Sequence, residues 1–163
     1  MLFLLMQLSA ATIQLDAKGP VSVRNIPIKV AATPAGDRDE DCAFLRLYTN
    51  TQSQNLTHQF CRSARLYDMN FGVAIVNDNV SVSTLTLYRI RNGKLIKLSY
   101  MYSHSVNPAS MSFNLSGSSK EVLRFDLEIL FEDKVKVGPR KLAYRCLIVN
   151  KAGISDATGL CQA

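Results

Sequence analysis

Residues 80–102 read "VSVSTLTLYRIRNGKLIKLSYMY", and the turn inside them decides the fold class. Asn92 and Gly93 both tolerate positive φ, so together they predict a two-residue type I′ hairpin. With these two at the centre, Arg91 faces Lys94 and the pairs continue outward. Leu87 then meets Leu98 and Leu85 meets Tyr100 on one face, while Tyr88 meets Lys97 on the other. Such a register belongs to an antiparallel pair with one face turned to a core. Val80 and Val82 fall out of step with Leu85 and Leu87, which predicts a β-bulge near Ser83-Thr84.

The same period of two runs through "EVLRFDLEILFE", residues 121–132. Leu123, Phe125, Leu127, Ile129 and Phe131 fall on one face, and Arg124, Asp126 and Glu128 on the other. A helix would scatter these apolar residues around its circumference. "CAFLRLYT" and "HQFCRSARLY" flank the polar "NTQSQN" and predict a further hairpin. "FGVAIVN" is a short, nearly continuous apolar run of the kind found in central strands. "VSVRNIPIKVA" alternates, but Pro27 assigns it to a sheet edge or a break. "KLAYRCLIVN" is the last strong strand. The intervening "TPAGDRDED", "SHSVNPAS" and "GSS" are turn-rich. The expected fold is all-β, an Ig-like antiparallel β-sandwich of about eight strands.

The chain has 163 residues, 47% hydrophobic and 20% charged, with a formal charge of +6. These proportions are those of a globular protein. The expected organisation is a short apolar leader at 1–11, "MLFLLMQLSAA", followed by one β-sandwich domain at 12–163. Ser9 and Ala11 are small residues at the spacing that signal peptidases accept, although no basic residue precedes the apolar run. No other stretch approaches the ~18 apolar residues of a membrane span. The expected location is extracytoplasmic, either secreted or periplasmic.

Four cysteines, Cys42, Cys61, Cys146 and Cys161, suit two disulfides in an exported chain. Proximity in sequence favours Cys42–Cys61 and Cys146–Cys161, each stabilising by ~3 kcal/mol in the chain-entropy model. No pair has the C-x-x-C spacing of zinc or thiol-redox sites. Sequons at Asn55, Asn79 and Asn114 add weak support for export.

Near the C-terminus, Tyr144 stands two residues before Cys146, and Asn150, Ala152 and Gly153 follow. This run resembles the Y-x-C-x-x-x-N-x-A-G ending of immunoglobulin-superfamily domains. The resemblance implies a sandwich in which Tyr144 forms a tyrosine corner and Cys146 bridges the two sheets. That bridge would run to Cys61 or Cys42, against the stapled C-terminal hairpin that Cys146–Cys161 would make. The chain has no Trp, so that family's core tryptophan has no counterpart here. The layout of residues 73–98 is also similar to bacterial extracytoplasmic Ig-like domains.

No catalytic or cofactor signature is present: no Gly-rich phosphate loop, G-x-S-x-G, H-E-x-x-H or Walker pattern. His58 and His104 are the only histidines, and both read as surface residues. His58 and Cys61 would point to opposite faces of a strand. The acidic run Asp37, Asp39, Glu40 and Asp41 lacks the spaced ligands of an EF-hand and reads as a solvated turn. Asp126 and Glu128 read as partners in cross-strand ion pairs. Arg89, Arg91, Lys94 and Lys97 decorate the Asn92-Gly93 hairpin, and Lys134, Lys136, Arg140 and Lys141 form a second basic group. If the two groups share an edge they make a surface for an anionic partner, although lysines on exposed strands also block aggregation. Nucleic-acid binding would need aromatics interleaved with them on one face, and that pattern is missing. The expected function is non-catalytic: recognition of another protein or a glycan through loops or an edge strand, with no metal or cofactor. The alternative is a pilin-like or envelope subunit assembling by strand addition, with residues 12–24 as the donated segment and Ile13, Leu15 and Val21 or Val23 as its apolar positions.

Overall fold

The computed structural model describes residues 12–16, 28–34, 42–49, 55–61, 63–78, 82–103, 110–132 and 139–159. Among them the regular structure is strand alone. In chain order the strands are β1 (Thr12–Asp16), β2 (Lys29–Pro34), β3 (Cys42–Tyr48), β4 (Asn55–Cys61), β5 (Ser63–Met69) and β6 (Gly72–Asp78). They continue with β7 (Val82–Arg91), β8 (Lys94–Ser103), β9 (Ser110–Ser118), β10 (Val122–Glu132), β11 (Pro139–Asn150) and β12 (Gly153–Asp156).

All neighbouring strands are antiparallel, and they form three sheets rather than the two of a simple sandwich. The orders are β1-β5-β6-β7-β8, β12-β11-β10-β9 and β2-β3-β4. The five-stranded sheet lies in the middle, because its two faces feed two separate cores. Tyr67, Ala74, Leu85 and Leu87 pack against Phe113, Phe125, Leu127 and Leu147 of the four-stranded sheet. The alternate residues Leu66, Val73, Ile75 and Tyr88 pack against Leu45, Leu47 and Phe60 of the three-stranded sheet. Burial on both sides explains why Val73 to Val76 is continuously apolar and fully buried. The expectation of about eight strands in two layers is corrected accordingly: the central sheet is covered twice.

The hairpin register is the one read from Asn92-Gly93. Arg91 pairs with Lys94, Tyr88 with Lys97, Leu87 with Leu98 and Leu85 with Tyr100. Asn92 and Gly93 have φ of 52° and 72°, the left-handed values that a type I′ turn requires. The bulge expected at Ser83-Thr84 does not form, and β7 pairs without a shift on both sides. Ser83 instead takes the core position in step with Leu85, and its hydroxyl donates to the Met111 carbonyl at 3.1 Å. The hydroxyl is satisfied there, so burying it carries little cost. Register shifts occur in β10 instead, between Arg124 and Phe125 against β9 and between Ile129 and Leu130 against β11.

In "HQFCRSARLY" the chain changes sheets between Cys61 and Ser63, leaving β4 in the outer sheet and β5 in the central one. Cys42 stands opposite Cys61, and a disulfide joins them, stapling β3 to β4 as expected from sequence proximity. Cys146 therefore has neither of these as a partner. It is itself disulfide-bonded and fully buried. It alternates with Leu147 and Val149, which fill the core between the sheets, so it lies on the other face of β11. The inter-sheet bridge implied by the immunoglobulin resemblance is thus absent. Cys161, the partner expected for Cys146, lies outside the described residues.

The "IVNKAG" segment forms the tight β11–β12 hairpin, with Asn150 paired to Gly153. The Asn150 side-chain carbonyl accepts from the Ala152 and Gly153 N–H groups at 2.8 and 3.3 Å. Polar clasps join the central sheet to the four-stranded one. Arg65 pairs with Asp78 and donates to the Phe113 carbonyl at 2.5 Å. Lys120 reaches Asp68 at 2.6 Å, and Arg89 donates to the Lys151 carbonyl.

Candidate functional site

The expected basic surface divides. Arg89, Arg91 and Lys94 follow Leu85 and Leu87 in register and lie on the face toward the four-stranded sheet. Lys97 pairs with Tyr88 and lies on the opposite face. Arg140 and Lys141 sit at the start of β11, paired with Phe131 and Leu130. Arg89 meets Lys151 just past the other end of β11, which at the usual rise per residue is roughly 30 Å away. Lys134 and Lys136 lie outside the described residues, as do His104 and the acidic run 37–41. Among the described residues no group of three or more His, Cys, Asp or Glu is placed to hold a metal, and no helix is long and apolar enough to cross a membrane.

His58 is not a surface residue. It is only 6% exposed and sits on the inner face of β4, between the outer and central sheets. Its Nδ1 lies 2.8 Å from the Tyr88 hydroxyl and its Nε2 3.4 Å from Asn77 Oδ1. A carboxamide oxygen only accepts, so Nε2 carries the proton, and Nδ1 accepts from the Tyr88 O–H. Burial lowers the His58 pKa, the Asn77 contact opposes this, and nearby Lys97 lowers it further. Burial likewise raises the Tyr88 phenol far above its ordinary value and keeps it a donor. Cys61 is exposed on the other face of β4 and disulfide-bonded, so a Cys-His dyad is excluded.

This arrangement predicts acid sensitivity. A depressed histidine pKa means that the unfolded chain takes up a proton which the folded chain resists. Stability should be complete above the unfolded value of about 6.5 and fall as pH drops through the lower folded value. Urea midpoints measured across this range should show the slope in wild type and lose part of it in His58→Gln. An unchanged slope in the variant would remove His58 as its source.

The feature with the clearest binding chemistry is β8. It is the last strand of the central sheet, and among the described residues it pairs only with β7. It is ten residues long, Lys94–Ser103. Toward the four-stranded sheet its side chains are engaged: Leu98, Tyr100 and Tyr102 pack against the core. There Arg145 donates to the Tyr100 hydroxyl and pairs with Asp156, both at 3.2 Å, with its guanidinium 5.4 Å from the Tyr102 ring centroid. Thr158, donating to the Asp156 carboxylate, holds that group below the usual carboxylate range, with Arg145 contributing less.

On the opposite face of β8, Leu95 is buried in the core shared with the outer sheet, whereas Lys97, Ser99 and Met101 are exposed. Met101 is 66% exposed, the most exposed large apolar side chain among the described residues. Sequence reading found the strand and its register but not this ledge, which depends on where an unforeseen third sheet ends. No family model, curated protein or solved structure matches this chain. Function therefore has to be read from its own residues.

Residues 12–24, the candidate donor segment, begin with β1. Thr12 to Asp16 pair with Tyr67 to Ser63 of β5 within the same chain. Residues 17–24 lie outside the described residues.

Proposed function

We propose that this protein is a non-catalytic, all-β interaction module working outside the cytosol, which binds an extended segment of another protein along β8. The observation that carries this reading is Met101, exposed on β8, the strand that ends the central sheet among the described residues. An edge of this kind offers a ladder of N–H and C=O groups, while alternate side chains supply specificity. Such a ladder matches a polypeptide better than a glycan. The Cys42–Cys61 disulfide supports an oxidising compartment. Self-assembly through a donated N-terminal strand is less favoured, because β1 already pairs in its own chain.

Affinity capture from the extracellular fraction of producing cells tests the reading. The wild type should retain a partner that is lost from the Ser99→Lys/Met101→Lys double variant, which gates the edge with charge. A Phe44→Lys control, altered on the exposed face of β3, should retain it. Size-exclusion chromatography should show one species. A partner held equally by all three proteins would contradict binding at β8, and a ladder of oligomers would favour the subunit reading.

A further inference from the structure

We propose that the end of the molecule at the Asn92-Gly93 turn is a second binding surface, where Arg91, Lys94 and Lys151 take a sulfated polysaccharide. Four turns meet at this end. Gly72, just past the Asn70-Phe71 turn, pairs with Arg89, and two residues further on Arg91 pairs with Lys94 across the hairpin tip. The Asn70 N–H donates to the Lys120 carbonyl at 2.9 Å, which brings in the β9–β10 turn. Arg89 donates to the Lys151 carbonyl, which brings in the β11–β12 turn. That last turn is also seated on β8, since a Cβ built on Gly153 would stand 3.3 Å from Leu98 Cδ1. Arg89 thus positions Lys151, and Asn150, accepting from the Ala152 and Gly153 N–H groups, stiffens the backbone that carries it.

Positive charge prevails at this end. Arg91 follows Leu87 and Arg89 by alternation, so it and Lys94 share the face toward the four-stranded sheet, whose β11–β12 turn carries Lys151. Arg91, Lys94 and Lys151 are all exposed. The carboxylates beside them in register are engaged: Asp68 pairs with Lys120 at 2.6 Å, and Glu121 accepts from Asn70. Arg91 and Lys94 stand directly opposite each other, with Cβ atoms about 5 Å apart, and like charges so placed repel. The Asn92-Gly93 turn fixes their register, so the pair cannot slip apart. A carboxylate at either position would turn the repulsion into attraction, and a bound anion bridging the two cations does the same. Arg91 offers a sulfate two parallel N–H donors, and the lysines offer point charges. No aromatic residue lies between Arg89 and Lys97, so the tip lacks the stacking platform that nucleic-acid bases would use. The choice of a polysaccharide rests on the extracytoplasmic part of the proposed function, which the Cys42–Cys61 disulfide supports.

The test uses the disulfide-bonded protein and a heparin decasaccharide. Wild type should bind it, with shifts in the amide resonances of residues 89–95 and 150–153. Arg91→Gln/Lys94→Gln should weaken binding about tenfold or more at low salt. It should also flatten the plot of log affinity against log salt by about two in slope, and Lys151→Gln by about one. Arg46→Gln/Arg124→Gln removes the same charge from exposed positions on β3 and β10 and should bind as wild type does. The urea midpoint of Arg91→Gln/Lys94→Gln should be no lower than that of wild type, because a like-charge pair has been removed. That measurement separates loss of binding from loss of fold. Equal weakening by the two double variants, no binding of heparin, or shifts confined to other residues would overturn the inference. Equal affinity for an oligothymidylate of the same charge would overturn the choice of polysaccharide. The β8 reading stands or falls separately, by capture with the Ser99→Lys/Met101→Lys variant.

Discussion

Gly72→Ala should prevent stable folding. Gly72 opens β6 directly after the Asn70-Phe71 turn and pairs with Arg89 of β7. A Cβ placed there falls well inside contact distance of the Tyr88 carbonyl oxygen, with the Arg89 Cα at 3.1 Å. Both obstacles are backbone, so no side chain can swing away. β6 and β7 would have to part in the middle of a sheet that is covered on both faces. Overpacking of a well-packed core costs about 1–3 kcal/mol, and displaced ladder hydrogen bonds add to that. For a domain of ordinary marginal stability this is a large fraction of the total. Urea unfolding of Gly72→Ala against wild type should show a collapse of the midpoint, or no folded baseline at all. A variant within about 0.5 kcal/mol of wild type would mean that the two backbones are not so close.

The second large effect is expected at Phe125. This ring is fully buried on β10, edge-to-face with Tyr67 of β5 at a centroid separation of 5.2 Å. It therefore belongs to both the central and the four-stranded sheets. Phe125→Ala should cost about 3–5 kcal/mol, combining lost apolar burial with the cavity left behind. Phe44→Ala is the matched control. Phe44 is a similar residue in a similar alternating strand, but it is 37% exposed on the outside of β3. Its loss should change stability by no more than about 0.5 kcal/mol. Comparable effects at the two positions would contradict the assignment of inner and outer faces.

Much of the local structure was legible because it follows from short-range chemistry. Asn92-Gly93 fixed one turn type, and the turn type fixed every pair from Arg91–Lys94 to Leu85–Tyr100. The alternation of Leu123, Phe125, Leu127 and Ile129 named the inner face of β10, and all four are fully buried. Cys42 and Cys61 were paired correctly from their spacing.

What escaped the sequence depends on distant partners. Ser83 looks like a break in the apolar pattern until Met111, on another strand, accepts its hydroxyl. His58 looks solvated until Tyr88 and Asn77 provide its hydrogen bonds from thirty and nineteen residues away. The switch of sheet between Cys61 and Ser63 leaves no local mark, because β4 and β5 are strands alike. The continuous burial of Val73 to Val76 was the available sign of a sheet covered twice. "FGVAIVN" was accordingly read as central, but one strand alone does not reveal a third sheet. The ledge on β8 is a consequence of that third sheet, and so it was hidden with it.

A middle sheet buried on both faces and bounded by β8 among the described strands can be tested by amide hydrogen exchange resolved residue by residue. The slowest amides should lie in β6 and β7. Along β8, residues that donate to β7 should be protected, while Lys97, Ser99 and Met101, facing outward, should exchange fast. Uniform protection along β8, or fast exchange in β6, would contradict the layered arrangement and remove the edge on which the proposed binding rests.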